Sequence, residues 1–162
     1  MSMKIITIGV YGYEEEDFFE ALTAANVDLF CDIRARRGVR GSKYAFANSK
    51  RLQKRLADLN IHYLHLKDLA PSQSIRQRQY DEDKSKKIAK RKRTELGSAF
   101  KAAYEKEILN DFDAQAFIDD LPEDTKTVIF FCVEKEPGAC HRSLVAGKLQ
   151  QELGLEVAQI VP

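Results

Sequence analysis

Short apolar runs rich in β-branched and aromatic residues recur along the chain and predict five β-strands. Each run is bounded by turn-forming or charged residues, which is the pattern of buried strands. The runs cover residues 4–9, 27–33, 61–66, 125–132 and 157–161. The fourth run is apolar over most of its length, so it predicts a central strand that is covered on both faces.

Amphipathic patterns between these runs predict the helices. Ser49 is the expected N-cap of the helix that follows it, and Gly154 is the expected left-handed residue after the last helix. The predicted helices cover residues 14–26, 49–60, 100–108 and 141–153, with a shorter one at 117–121.

The alternation of strands and helices defines the predicted fold. A strand, a helix and a second strand in succession favour right-handed parallel crossovers. We therefore predict a single α/β domain over residues 1–162, with a three-layer αβα architecture and a mostly parallel, Rossmann-like sheet. Two basic segments interrupt the pattern, namely a long loop at residues 34–48 and a weakly packed helical insertion at residues 74–93.

The composition is typical of one globular domain. The chain has 162 residues, of which 44% are hydrophobic and 31% are charged, and this excludes disordered and fibrous classes. No apolar run reaches the roughly 18 residues of a membrane-spanning helix. The N-terminal residues lack the features of a signal peptide, so we expect a cytoplasmic protein with no membrane partner. Three cysteines, an odd number, argue against a disulfide framework.

The net charge of +1 conceals two opposed blocks. Residues 34–106 contain 21 Lys and Arg against 7 Asp and Glu, whereas the rest of the chain contains 5 against 18. Such a basic block attracts anionic partners, including nucleotides and nucleic acids. The alternative is a solvated surface that the acidic flanks partly neutralise in the folded chain.

Ligands of open parallel sheets bind beyond the carboxyl ends of the strands. Gly9 ends the first predicted strand and allows a close approach of the backbone to a ligand. Asp32 and Arg34 end the second strand, and their spacing of two residues places both side chains on one side. Together with Arg40 in the following loop, they are the predicted substrate-binding residues at this edge.

The segment between the fourth strand and the last helix carries the most reactive side chains. The helix N-terminus near Cys140 favours anions and thiolates, because its free N–H groups and dipole are positive. Arg142 offers a planar fork to phosphate or carboxylate and is a further predicted substrate-binding residue. Glu134 and His141 are candidate proton carriers. With Cys132 and Cys140 as candidate nucleophiles, these two complete the predicted catalytic group.

Structural roles are the alternative for each of these residues. Cys132 fits a buried core thiol, and Cys140 fits a small residue in a first helical turn. Asp32, Arg34 and Arg142 fit a structural ion-pair cluster. The concentration of the reactive residues in one strand–loop–helix unit nevertheless favours a functional site for the group as a whole.

Spacing argues against several familiar motifs. A phosphatase loop consists of Cys, five residues and Arg, but the sixth position after Cys132 is Gly138. The acidic loop disfavours a sulfurtransferase site, and no Walker loop is present. Cys132, Cys140 and His141 are zinc-binding residue types, yet no Cys-x-x-Cys pair or distant His pair accompanies them. We therefore predict no metal and no cofactor, and a zinc site stays the minority hypothesis.

A combination of short motifs resembles the domain of unknown function 488 family over nearly the whole chain. The most specific part is Cys-His-Arg with an upstream Cys-x-Glu. The motifs are Thr7-Ile-Gly9, Asp32-Ile-Arg34 with Arg40 downstream, Asn60-Ile-His-Tyr63, Cys132-x-Glu134 and Cys140-His141-Arg142.

Two positions depart from the pattern of this family. Members often have His-Ser after the first Thr-Ile-Gly, where this chain has Val10-Tyr11. They often have Pro in the loop after Asp-x-Arg, where this chain has Arg37 and a more basic loop. The resemblance implies a compact α/β fold in a bacterial or archaeal cytoplasm and assigns no reaction.

Two functions compete on this basis. The first is an enzyme that acts on a phosphate-bearing substrate, a nucleotide or a nucleic acid, at the Cys/Glu/His/Arg pocket. The alternative is a non-catalytic nucleic-acid-binding module that uses basic segments 34–55 and 76–93, with Tyr44, Phe46 and Tyr80 for base stacking. A protein that self-associates through its opposed charge blocks is a third hypothesis.

Overall fold

Five parallel strands form the central sheet of the computed structural model, which describes residues 3–88 and 94–162. The strands are β1 (Lys4–Gly9), β2 (Leu29–Asp32), β3 (His62–His65), β4 (Thr127–Cys132) and β5 (Glu156–Ile160). Their order is β3-β2-β4-β1-β5, which puts β4 in the centre. Every residue of β4 is buried, so the prediction of a central, doubly covered strand is confirmed.

Helices cover both faces of this sheet. One hydrophobic cluster lies between the sheet and α1 with α2, and a second lies between the opposite face and α3 to α6. β4 serves both clusters, because Phe130 packs in one and Phe131 in the other. The predicted three-layer αβα architecture is confirmed. In the described ranges the helices are α1 (Glu15–Ala24), α2 (Ser49–Asp58), α3 (Gln73–Ser85), α4 (Ser98–Glu107), α5 (Ala114–Asp119) and α6 (Arg142–Leu153).

The strand register brings the chemically interesting strand ends to one edge. Gly9 of β1 lies opposite Cys132 of β4. Asp32 of β2 lies opposite Phe131 on one side and His65 of β3 on the other. The loops that follow β1, β2 and β4 therefore leave the sheet side by side, as parallel pairing of these strands predicts.

The basic insertion packs more firmly than its composition suggests. α3 begins after Ser72, whose Oγ accepts a hydrogen bond of 3.2 Å from the amide of Ile75. Ile75 is fully buried, and Gln79 accepts a hydrogen bond of 2.8 Å from the amide of Gly97 next to α4. The prediction of a weakly packed segment is therefore wrong for residues 75–83, whereas residues 84–88 are exposed. Residues 89–93 lie outside the described ranges.

One of the two predicted helix-end residues is corrected. The N-cap of α2 is Asn48 and not Ser49, and no side chain caps the helix there. Instead, Asn48 Oδ1 accepts a hydrogen bond of 2.6 Å from the amide of Val39 and so ties down the basic loop. Gly154 is confirmed as the residue that ends α6, with a left-handed φ of 67°.

Ion pairs join the acidic and basic parts of the surface within one chain. Glu15 of α1 pairs with Arg51 and, at 2.7 Å, with Arg55 on α2. Part of the charge asymmetry is therefore neutralised inside the folded molecule. Across the two described ranges, no helix combines the length and apolar character needed to cross a bilayer.

Candidate functional site

A cleft of about 470 Å³ opens at the carboxyl edge of the sheet. Its volume falls within the range of roughly 300–1,000 Å³ that is usual for ligand pockets. The loops after β2 and β4 line it, and α3 with the start of α4 closes one side. Eight of the lining residues carry charged or reactive side chains, namely Arg34, Arg36, Arg40, Arg76, Cys132, Glu134, Cys140 and His141.

The buried pair of Asp32 and Arg34 forms one wall. Arg34 donates to the two carboxylate oxygens through Nε at 2.9 Å and Nη2 at 2.8 Å. The hydroxyl of Tyr63 donates to the same carboxylate at 2.7 Å. Both carboxylate oxygens of Asp32 therefore accept hydrogen bonds from within the protein. Asp32 orients Arg34 and does not itself line the cleft.

One nitrogen of the Arg34 guanidinium is left over. Only 4% of this residue is exposed, and within residues 3–88 and 94–162 its Nη1 has no hydrogen-bond partner. The central carbon of the guanidinium lies 4.8 Å from the centroid of the Phe131 ring, which is within the range of a cation–π contact. A buried charged donor without an acceptor is costly, and the described residues supply no acceptor for this nitrogen.

Further arginines extend this positive wall. Arg76 of α3 is half-buried, and its Nε likewise has no partner in the described part of the chain. Arg36 and Arg40 are exposed and lie at the rim. Arg36 and Arg76 were predicted only as members of the basic segments 34–55 and 76–93 and not as residues of this pocket. Arg76 is distant in sequence from the strand-end motifs, so no signal indicated that α3 folds back over the cleft.

Another part of the lining is a cluster of two thiols and one imidazole. Nε2 of His141 lies 2.9 Å from the carbonyl oxygen of Ile33. A carbonyl can only accept, so Nε2 carries the hydrogen and Nδ1 points toward the sulfurs. Nδ1 lies 3.7 Å from Sγ of Cys140 and 3.9 Å from Sγ of Cys132. The free nitrogen of the imidazole therefore faces the thiols, whereas Nε2 carries a hydrogen and cannot accept a substrate proton.

The two thiols differ in their acidity. Burial opposes ionisation of Cys140, but a hydrogen bond from Cys132, the adjacent His141 and the charge of Arg142 together hold the pKa of Cys140 well below its usual value. The pKa of Cys132 is raised well above its usual value by its hydrogen bond to Cys140, by burial and by the charges of Cys140 and Glu134. A thiolate is therefore favoured at Cys140 and a thiol at Cys132.

Arg142 and Gly9 lie behind the cleft and not in its lining. Arg142 is fully buried and donates to the backbone carbonyl oxygens of Glu134 at 2.6 Å and Lys135 at 3.2 Å. A Cβ atom on Gly9 would lie 1.7 Å from the same Glu134 oxygen. The structure thus places both residues where they position the loop after β4, whereas the sequence assigned them to the substrate.

The predicted site residues are therefore brought together in two groups. One group lines the cleft, and a second group lies beneath it. The lining group is Arg34, Arg40, Cys132, Glu134, Cys140 and His141, and the supporting group is Gly9, Asp32 and Arg142.

The proposed stacking aromatics do not form a binding surface. Tyr44 and Phe46 are buried in the core cluster beneath α1 and α2, so their prediction as stacking residues is wrong. Their apolar rings pack against Phe18 and Tyr11 instead. Tyr80 is exposed and does lie on the lining of the cleft.

Fold and site together define a parallel α/β domain with an arginine and cysteine–histidine cleft at the carboxyl edge of its sheet. The family model described as Domain of unknown function DUF488 matches residues 14–149. The chain belongs to this family, as its motifs predicted, and the matched range includes all the lining residues named above. No curated protein and no solved structure matches this chain significantly.

Proposed function

We propose that this chain is an enzyme that binds a phosphate-bearing substrate, a nucleotide or a nucleic acid, in the cleft at the carboxyl edge. The observation that carries the proposal is the buried Arg34 guanidinium on the cleft wall. Two of its nitrogens are held by Asp32, and its Nη1 is without a partner among the described residues. A phosphate oxygen supplies the acceptor that this geometry lacks, through a short charge-assisted hydrogen bond.

The charge of the remaining lining supports the same class of ligand. Arg36, Arg40 and Arg76 add three guanidinium groups around one cleft. Several arginines converging on a concave surface are suited to a group with more than one anionic oxygen, because each planar fork binds two oxygens at once. A phosphoryl group meets this requirement.

The reacting centre in this proposal is the cluster of Cys132, Cys140 and His141, which lines the same cleft as the arginines. Glu134 is 4% exposed and lines the cleft next to this cluster. Its carboxylate is the candidate proton acceptor, since His141 directs its own free nitrogen at the thiols.

Replacement of Arg34 by lysine tests the anion site. Lysine retains a positive charge beside Asp32, but its compact ammonium lacks the planar fork that holds Asp32 through two nitrogens and leaves a third for the ligand. We expect the affinity for pyrophosphate and nucleoside triphosphates, measured by titration calorimetry, to fall about 10- to 100-fold. The matched control is Arg78→Lys on the exposed side of α3, which does not line the cleft.

Equal affinities of the Arg34→Lys variant and the wild type would contradict the proposal that Arg34 binds the phosphate group.

Parallel titrations with single-stranded oligonucleotides test the alternative of a nucleic-acid-binding module. That alternative is favoured by Arg76 and the exposed Tyr80 side by side on the cleft lining. It predicts tight binding of single-stranded oligonucleotides with a steep salt dependence, and no binding of mononucleotides.

Catalysis is tested by turnover of the compounds that bind. In the Cys140→Ser variant we expect binding to persist and turnover to fall by orders of magnitude, because the reacting group is altered while the arginines remain. The measurement is product formation under saturating substrate. If no bound compound is turned over by the wild type, the enzyme assignment is lost and the binding assignment alone survives.

A further inference from the structure

Three metal-binding side chains converge on one point of the cleft wall. Cys132, Cys140 and His141 each offer one ligand atom, and these atoms all lie within 4.8 Å of one another. We propose that they bind one zinc-class divalent metal ion with an open coordination position toward the cleft. This inference rests on the proposed function and names the chemistry of its reacting centre.

The distances fit a tetrahedral metal site. Zinc–sulfur bonds of about 2.3 Å and zinc–nitrogen bonds of about 2.0 Å place sulfur and nitrogen ligands about 3.6 Å apart at tetrahedral angles. The His141 Nδ1 atom lies 3.7 Å from Cys140 Sγ and 3.9 Å from Cys132 Sγ. The two sulfurs lie within 4.8 Å of each other, whereas two thiolates on one tetrahedral zinc ion lie about 3.8 Å apart. Side-chain shifts of up to about 1 Å therefore close the site around an ion.

The orientation of His141 is also that of a metal ligand. Metal-binding histidines usually donate their second ring N–H to a carbonyl or carboxylate, which fixes the tautomer. Here Nε2 donates to the carbonyl oxygen of Ile33 at 2.9 Å, which leaves the Nδ1 lone pair directed at the two sulfurs. A nucleophilic dyad needs only one sulfur beside the imidazole, whereas this imidazole faces two at nearly equal distances.

The donor set selects the class of ion. Two thiolates and one imidazole suit zinc, while magnesium and calcium prefer oxygen ligands. Two thiolates also balance the charge of a divalent ion, so that the buried cluster becomes neutral. Three protein ligands with a vacant fourth position are typical of catalytic zinc sites. All three residues line the cleft, so that position lies on the side where the arginines would hold a phosphate-bearing substrate.

The test measures metal binding independently of any activity. The full chain is purified without chelator, its zinc content is measured by mass spectrometry, and the metal-free protein is then titrated with Co²⁺. We expect about one zinc per chain and a thiolate-to-cobalt charge-transfer band that saturates at one equivalent. Cys132→Ser and Cys140→Ser should weaken cobalt binding at least 10- to 100-fold, while Cys31→Ala, a change at a buried cysteine outside the cluster, leaves it unchanged.

Wild-type protein that is folded by circular dichroism, contains no zinc and gives no band with Co²⁺ overturns the inference, whatever the variants do. A band that persists in both serine variants overturns it as well. Pyrophosphate binding is measured on the metal-free and the cobalt-loaded protein in parallel. If Co²⁺ fails to bind but Arg34-dependent pyrophosphate binding persists, the metal inference alone is lost. If Co²⁺ binds and pyrophosphate does not, the proposed function is lost and the metal site stands.

Discussion

Replacement of Arg142 by methionine is expected to lower the free energy of unfolding by about 3 kcal/mol. The fully buried guanidinium donates to the carbonyl oxygens of Glu134 and Lys135. Methionine fills part of the volume but leaves both oxygens without these donors. The Glu134 oxygen is in a buried contact, where a lost partner costs about 1–3 kcal/mol, and the Lys135 oxygen, in a part-buried contact, adds less. The measurement is urea denaturation of the purified variant.

The control for this variant is Arg51→Met on α2. The Arg51 side chain is 53% exposed and pairs with Glu15, so its replacement should cost no more than about 1 kcal/mol. If Arg142→Met is as mild as Arg51→Met, Arg142 does not hold the loop after β4. In that case the role of Arg142 as a positioning residue is wrong, and direct binding of an anion becomes the better account of it.

Replacement of Gly9 by alanine is expected to destabilise the protein to a similar extent. The added methyl group would lie 1.7 Å from the oxygen and 2.7 Å from the carbon of the Glu134 carbonyl, and 2.9 Å from Nη1 of Arg142. The first two contacts are with backbone, so the loop after β4 must move. Overpacking of this kind costs about 1–3 kcal/mol or more, and we expect a value near the upper end in urea denaturation.

Gly147→Ala provides a matched comparison within the same protein. Gly147 lies in α6, and no atom lies within 4 Å of the position that its Cβ would take. Alanine is the better helix former by about 1 kcal/mol, so this variant should be more stable than the wild type. Equal effects of the two glycine substitutions would show that close approach at Gly9 is unimportant.

The loop that Gly9 and Arg142 hold carries Glu134 and connects Cys132 to Cys140. Both variants should therefore also weaken the binding of Co²⁺ in their folded fraction, because the two cysteines lose their fixed separation. If the loop were an ordinary part of the core, both substitutions would lower the stability but leave Co²⁺ binding by the folded fraction unchanged.

Much of the fold could be predicted from the sequence because its signals are local. Five apolar runs separated by amphipathic segments define the strands, and their alternation with helices defines a parallel sheet. The same logic placed Asp32 and Cys132 at neighbouring strand ends, where the register brings them together. Residues that belong to a strand end or to the loop after it were therefore assigned to the correct edge.

The roles of individual side chains were harder to predict, because they depend on contacts between distant segments. Arg142 was assigned to the substrate, and its burial against two loop carbonyls has no signature in the sequence. Arg76 was assigned only to a basic segment and not to the pocket, because the charged sequence of α3 gave no sign of a packed helix anchored by Ile75. The three metal-type ligands were recognised, but their convergence depends on the bond between His141 and the Ile33 carbonyl, which joins residues far apart in the chain.

The central claim is that Arg34 binds a phosphate group in the cleft, and a crystal structure of the chain with pyrophosphate tests it most directly. The account predicts phosphate density on the Arg34 side of the cleft, with an oxygen about 2.8 Å from Nη1 and the bonds from Arg34 to Asp32 retained. Pyrophosphate bound elsewhere on the molecule, with Nη1 of Arg34 not contacting it, would contradict the account.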